Sequence, residues 1–466
     1  MATSRRRPRS RQPELFARSK APVIAIEPTH RLVQITEEID WTELEELVQA
    51  IRLSKLKSAA GRPPHLRALI GALVFRALRY RTLRETEDLI QYYAPARFLC
   101  GLTESEWSPD ANTIQDFEQL IGEDGVKLIN ERVVKWAVEE KLADPTLAVA
   151  DMTAQEATIP YPNEMNMMAT FVSAVAAASK DVGAALKGFV ERAGSLFQTA
   201  KKKLREFRLF AKDKTKAARM KLTSAMANIV EQVQDGLEQA LNAASRQRMR
   251  LTKYRKVAWA KVQKLHSTMQ TLLPQIRYWI KTGWVAANKI VSLQIPEIYS
   301  IVRGKVGKKV EFGLSWGITR LRGGFLLATL SKDKAELVDS KFAVRAVKDH
   351  IKLFGKAPKS YAYDRAGWSQ PNIDELTQLG VADVGLAPRG NAKWQVSGKR
   401  KEKLVSERAQ VEAGIGSIKS RKYGFSKPAA KTAHTMGVCG QRAVLGFNLN
   451  KLINGLADRR EIVLVG

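Results

Sequence analysis

The sequence predicts an α/β core with an all-helical N-terminal domain and a long helical insertion. Three observations predict it. Apolar residues recur at helical spacing from about residue 30 to 142. At "PTLAVADMTAQEATIPYP" the period changes to strand-like alternation. Helical patterning then returns from about 166 to 292, after which strands and helices alternate. At 466 residues the chain exceeds one ordinary core, so two or three domains are expected.

Each element has its local reason. Residues 1–25 begin "MATSRRRPRSRQP", a basic arm expected to be disordered. Within 26–142, "DWTELEELVQAIRL" follows Asp40 as a cap, and "GRPPHLRALIGALVFRALRY" starts after a Pro-Pro breaker. "TLRETEDLIQYY" carries Thr82 and Glu85 at capping-box spacing, and "SPDANTIQDFEQLIG" opens another short helix. Residues 143–165 hold the first core strand, with Leu147, Val149 and Asp151 on one face. Residues 166–292 read as a basic helical insertion, containing "KKKLREFRLFAKDKTKAARMKL" and "SRQRMRLTKYRKVAWAKVQKLHS". Residues 293–466 supply the rest of the core and the C-terminal helix. There "KKVEFGLSWGITRL", "RGG" and "FLLATLS" make a hairpin. "AVRAVKDHIKLFG" is a helix ending at Gly355, and "SYAYD" is a strand. "SQPNIDELTQLG" is a helix with Ser369 as cap and Pro371 in its first turn, and "VADVGLAPRG" closes a β-α-β unit.

Charge narrows the partner. The formal net charge is +30. Such an excess repels itself in the compact state, which points to a polyanion, and nucleic acid before a membrane. The apolar stretches "HLRALIGALVFRALRYR" and "MMATFVSAVAAASK" are broken by cations or too short to span a bilayer. Cys100 and Cys439 stand far apart, without zinc spacing, and fit a reducing cytosol; the five histidines do not cluster. A cytoplasmic, nucleoid-associated protein is therefore expected. Lys201, Lys202, Lys203 and Arg205 are candidate phosphate contacts, since their run leans to one sign; the alternative is a solvated helix face. Trp368 and Trp394 are candidates for base stacking or, with greater weight, for core packing.

Three acids stand out. Asp151 and Asp364 fall at the ends of expected strands, where aspartate is disfavoured without a reason. Each alone could be a turn or cap residue. Glu412 lies in "RAQVEAGIGSIK" between Arg408 and Lys419, and alone could be a surface partner of Arg408. Together, three converging carboxylates would repel one another and take up protons unless cations held them ionised. Their hard oxygens suit Mg²⁺ or Mn²⁺. Two such ions, about 3.5–4 Å apart, serve in-line displacement at phosphorus.

These residues resemble the insertion-sequence DDE transposases of bacteria. Arg408, Glu412 and Lys419 follow that family's Arg-Glu-Lys spacing, with Val405 where the family has tyrosine. "VADMTAQEATIPYP" and "YAYDRAGWS" look like its two aspartate blocks, and the segments around 65–90 and 108–122 look like its N-terminal helical domain. The resemblance covers most of 30–450 and is weakest across 166–292. It implies a ribonuclease-H-like catalytic core and a DNA-binding helical domain at 26–142. It implies Asp151, Asp364 and Glu412 as ligands of two Mg²⁺ (or Mn²⁺) ions, with Arg408 and Lys419 on phosphates. The implied reaction is hydrolysis at the transposon end, then attack of the freed 3′-OH on target DNA, by a homodimer or larger assembly. The insertion would grip end DNA or a partner subunit. A non-catalytic DNA-binding protein derived from a transposase, acting in repression or architecture, is the alternative. A structure-selective nuclease on the same core is a third.

Overall fold

A computed structural model describes residues 26–56, 64–103, 107–210, 215–246, 251–305, 308–331, 338–390 and 392–465. The basic arm expected over residues 1–25 lies outside the described residues.

Helices come first: α1 (Arg31–Glu38), α2 (Trp41–Lys55), α3 (Leu66–Leu78), α4 (Leu83–Tyr92), α5 (Ala94–Leu99) and α6 (Ala111–Glu139). Their starts follow the expected chemistry. Asp40 accepts from Glu43 N, and Thr82 forms a full capping box with Glu85. The helix expected at "SPDANTIQDFEQLIG" begins on its Asp110 cap and runs on much further, to Glu139. It kinks at Gly122, where φ is 66° and ψ −169°.

Strand β1 (Asp144–Glu156) follows, and then the insertion. It comprises α7 (Glu164–Val182), α8 (Lys187–Arg192), α9 (Gly194–Phe210), α10 (Lys216–Arg246) and α11 (Lys253–Thr282). These helices close around a core of their own, with Met168, Phe171, Phe189, Val230, Leu237, Met269 and Ile276 at its centre. Glu164–Arg192 is long and apolar enough by composition to cross a membrane. Here its apolar side is the wall of that core, packed on α9, α10 and α11.

The remaining elements are β2 (Tyr299–Lys305), β3 (Lys308–Arg322), β4 (Leu326–Leu330), α12 (Asp339–Phe354), β5 (Ser360–Tyr363), α13 (Gln370–Gln378), β6 (Asp383–Leu386), α14 (Gly398–Ile418) and α15 (Ala433–Val465). The expected hairpin is present, with Gly323 and Gly324 at φ 94° and 91° turning β3 into β4. Ser369 caps α13, and Gly355 ends α12 in the left-handed region. Strand β2 was not anticipated. The strands form one mixed sheet in the order β2-β3-β1-β5-β6, with β4 also on β3. β1 runs antiparallel to β3 and parallel to β5, and β5 parallel to β6.

The sheet has two covered faces. Leu147 and Val149 of β1 join Leu404, Val411, Ile415 and Ile418 of α14 in one cluster. Ala148, Ala150 and Met152 join Phe342 and Val347 of α12 in another, which runs on into α3, α6 and α15. Alternation along β1 thus assigns odd positions to α14 and even ones to α12. Helix α15 fastens the N-terminal helices to the sheet, packing on α3, α6 and β4. At Gly446 any Cβ would lie 1.7 Å from the carbonyl oxygen of Ala77, so only glycine permits that approach. Beneath it Glu118 of α6 binds both Arg76 of α3 and Arg442 of α15, all three buried.

Candidate active site

The register of the central strands builds the site. Val149 of β1 pairs with Ala362 of β5. Two residues further along each parallel strand are Asp151 and Asp364, on the face shared with Val149 and Ala362. Both aspartates are half-buried. Asp364 lies just past the end of β5 and accepts from Ala366 N at 2.8 Å, capping a short 3₁₀ turn. Asp364 is therefore a turn cap that also stands in a group of carboxylates. Asp151 Oδ1 accepts from Met152 N at 2.7 Å.

The third acid at this point is Asp339, the first residue of α12. One carboxylate oxygen from each of Asp151, Asp339 and Asp364 lies within 4.8 Å of the others. Asp339 also accepts from the Tyr363 hydroxyl at 3.2 Å. Sequence reading passed over Asp339 because the following helix was begun at Ala343. The available signal was an acid in the first turn of a basic helix, which reads as a dipole partner.

The surroundings keep nearby hydroxyls protonated. The Tyr361 phenol is pushed well above its ordinary range by burial, and further by the carboxylates of Asp151 and Asp364. Tyr363 is raised likewise by burial and by Asp339. Both remain hydrogen-bond donors at neutral pH. The Tyr361 hydroxyl is buried with no hydrogen-bond partner.

Three half-buried carboxylates this close repel one another, and either protons or a cation must relieve them. The donor set is all hard oxygen, at a spacing that one divalent ion bridges. The residues present therefore fit a divalent metal.

The other expected residues are distributed as follows. Glu412 is exposed on α14, which packs across β1, β3 and β5, and it stands outside the 4.8 Å group. It follows the buried Val411 directly and so flanks the stripe that faces the sheet. Arg408 and Lys419 are half-buried on the same helix, Lys419 as its C-cap. Lys201, Lys202 and Arg205 are exposed on α9, whereas Lys203 pairs with Glu206 at 3.2 Å. Trp368 and Trp394 are partly buried against the two core clusters. Lys401 Nζ lies 5.6 Å from the Trp394 ring centroid.

Residues 23–120 match the family model described as a transposase domain (DUF772). The N-terminal helices therefore carry a transposase-family domain. The match spans α1 to α5 and the first part of α6 and stops before the sheet. The acid cluster therefore lies in a part of the chain that the match does not reach. No curated protein and no solved structure matches the chain.

Proposed function

We propose that this transposase cuts DNA at the ends of its own element and joins the freed 3′-OH ends to target DNA, on a ribonuclease-H-like core. The observation that carries the reading is the meeting of Asp151 and Asp364 on the central strands of a mixed sheet, where the parallel pairing of β1 and β5 ends. In an open sheet of this kind, ligands gather beyond the carboxyl ends of parallel strands. Asp151 and Asp364 are the metal ligands in this reading, and Glu412, on the helix that covers their face, is the third. Asp339 adds a carboxylate from the α12 side. A pair of Mg²⁺ or Mn²⁺ ions bound there would sharpen the attacking oxygen and stabilise the leaving one.

The chain's own groups do the rest. The acids hold their charge toward the scissile phosphate's side of the sheet. Arg408 and Lys419, on the helix of Glu412, bind phosphate oxygens and fix the strand in register. The Tyr363 hydroxyl orients Asp339 by its hydrogen bond. The DNA partner follows from charge as well as from family. Residues 166–292 hold 24 Lys and Arg against 7 Asp and Glu, so this insertion alone carries 17 of the net +30. The active form in this reading is a homodimer or larger assembly on paired ends.

The test is cleavage of end DNA in Mg²⁺ by Asp151→Asn and Asp364→Asn. Each is expected to reduce cleavage at least a thousandfold while end binding stays within a few-fold. Normal cleavage by either variant would remove the assignment.

A further inference from the structure

A second site lies away from the acids, where α1, the turn between α3 and α4, and the segment leading to α15 meet. Its cavity is about 370 Å³ and is lined by His30, Arg31, Arg79, Arg81, Tyr93 and Lys422, with no carboxylate in its lining. Arg31, Arg81 and Lys422 have neutral partners. Arg31 donates to the side-chain oxygens of Asn450 at 2.7 Å and Asn454 at 2.9 Å. Arg81 donates to the carbonyl of Phe75 at 3.3 Å and lies 4.2 Å over its ring. Lys422 lies 5.0 Å from the Tyr423 ring centroid, and its carbonyl accepts from Tyr80 N at 2.7 Å, which ties the two walls together. Glu85, the carboxylate that acts on Arg81, is engaged on Thr82 N. Burial and neighbouring Arg79 both lower the pKa of Arg81, so the pocket's positive charge is mutually repulsive.

The hydrogen bonds leave a hydroxyl donor in the lining. His30 Nδ1 accepts from Leu32 N, so the neutral ring carries its proton on Nε2. Nε2 is 2.9 Å from the Tyr93 hydroxyl, which then accepts and keeps its own proton for another partner. Lys422 and Asn450 also line a second cavity of about 470 Å³ that reaches Lys451 and Asp458.

We propose that this pocket binds a backbone phosphate of duplex DNA, at a point separate from the acid cluster. The proposal rests on the DNA reading above. Guanidinium groups suit phosphate oxygens, and an anion would offset charge that Glu85 compensates only in part.

The experiment compares the full chain with Arg79→Gln/Lys422→Gln, both exposed positions, by duplex-DNA anisotropy over a salt series. A control of equal charge change is Arg345→Gln/Lys348→Gln on α12. Each phosphate contact contributes about −0.9 to the log–log slope, so the pocket variant is expected to flatten the slope by roughly 1–2. Affinity at 0.1 M salt should fall at least fivefold, with an unchanged melting temperature and an unaffected control. An unchanged slope in the pocket variant, or an equal loss in the control, overturns the pocket and leaves the DNA reading standing. A flat slope in the unmodified chain overturns both. Thermal stabilisation by inorganic phosphate, lost in the pocket variant while DNA binding is kept, assigns the pocket to free phosphate and overturns the proposal.

Discussion

Asp339 and Glu412 belong to helices that cover opposite faces of the sheet, α12 and α14. The aspartate is within 4.8 Å of the central pair, and the glutamate carries the Arg-Glu-Lys spacing. Their roles separate by substitution. Glu412→Gln is expected to abolish cleavage as fully as Asp151→Asn, at any Mg²⁺ concentration. Asp339→Asn removes one carboxylate from the cluster, keeps its shape and weakens ion affinity. A rise of about tenfold in the Mg²⁺ needed for half-maximal cleavage is expected, at the low end for a supporting partner. The check is a Mg²⁺ titration of cleavage. Abolished activity in Asp339→Asn together with normal activity in Glu412→Gln would transfer the third-ligand role to Asp339. The sequence made Asp151 and Asp364 legible because an aspartate in an alternating apolar run conflicts with strand preference. Asp364 does follow the end of β5, but Asp151 lies mid-strand, since β1 runs on to Glu156 paired with β3. Asp339 conflicts with nothing, since acids at helix starts are ordinary. The pocket cations were equally illegible. His30, Arg79 and Lys422 are far apart in sequence, and only packing of α1 and the α3–α4 turn beside the approach to α15 gathers them.

Helices and strands were read where local chemistry decides them. Caps at Asp40, Thr82 and Ser369 hold, and so does the Gly-Gly hairpin. Strand β2 was missed because its residues, "YSIVRGK", alternate over too short a run, and it sits on the edge of the sheet, paired only with β3. The reach of α6 beyond Gly122 was also missed, since glycine ordinarily ends a helix and here only kinks it. The attachment of the N-terminal helices to the sheet was not legible either. It depends on α15, and on the buried set Arg76, Glu118 and Arg442. Burial lowers the pKa of Arg76, and the nearby Arg442 lowers it further. For Arg442 burial is the largest influence and acts downward, but Glu118, Cys439 and Tyr80 together outweigh it and the pKa is raised. Glu118 is therefore the group that permits two guanidinium ions in one core. Glu118→Gln leaves both uncompensated and is expected to cost about 3–5 kcal/mol. Urea unfolding followed by circular dichroism should show a lower midpoint with an unchanged slope. The triple change Arg76→Met/Glu118→Leu/Arg442→Leu should recover most of the loss. A single variant as stable as the unmodified chain would mean that the triad contributes nothing.

At the scale of the molecule, a chain built on one sheet carries a second core apart from that sheet. The insertion buries its own apolar residues, from Met165 to Ile276, in a cluster distinct from both faces of the sheet. Its two connections lie side by side, since Thr158–Asn163 and Val291–Gln294 line a single cavity. Lys289 and Glu164 pair across the same neck. A chain entering and leaving at one place can be cut out without pulling the core strands apart. Replacing residues 164–290 by a short Gly/Ser linker is therefore expected to leave a folded sheet and helical domain with cooperative unfolding. The excision also removes most of the net positive charge. Its effect on DNA should be large: affinity at 0.1 M salt down at least a hundredfold, and a slope flattened by several units, at about 0.9 per lost phosphate contact. Exposed Lys201, Lys202 and Arg205 predict part of that loss, and their combined change to Gln in the full chain should reproduce about 2–3 units of slope. If the excised protein binds end DNA with unchanged affinity and slope, the insertion's cations face solvent or a partner subunit. The DNA contacts would then belong to the helical domain and the pocket along α15.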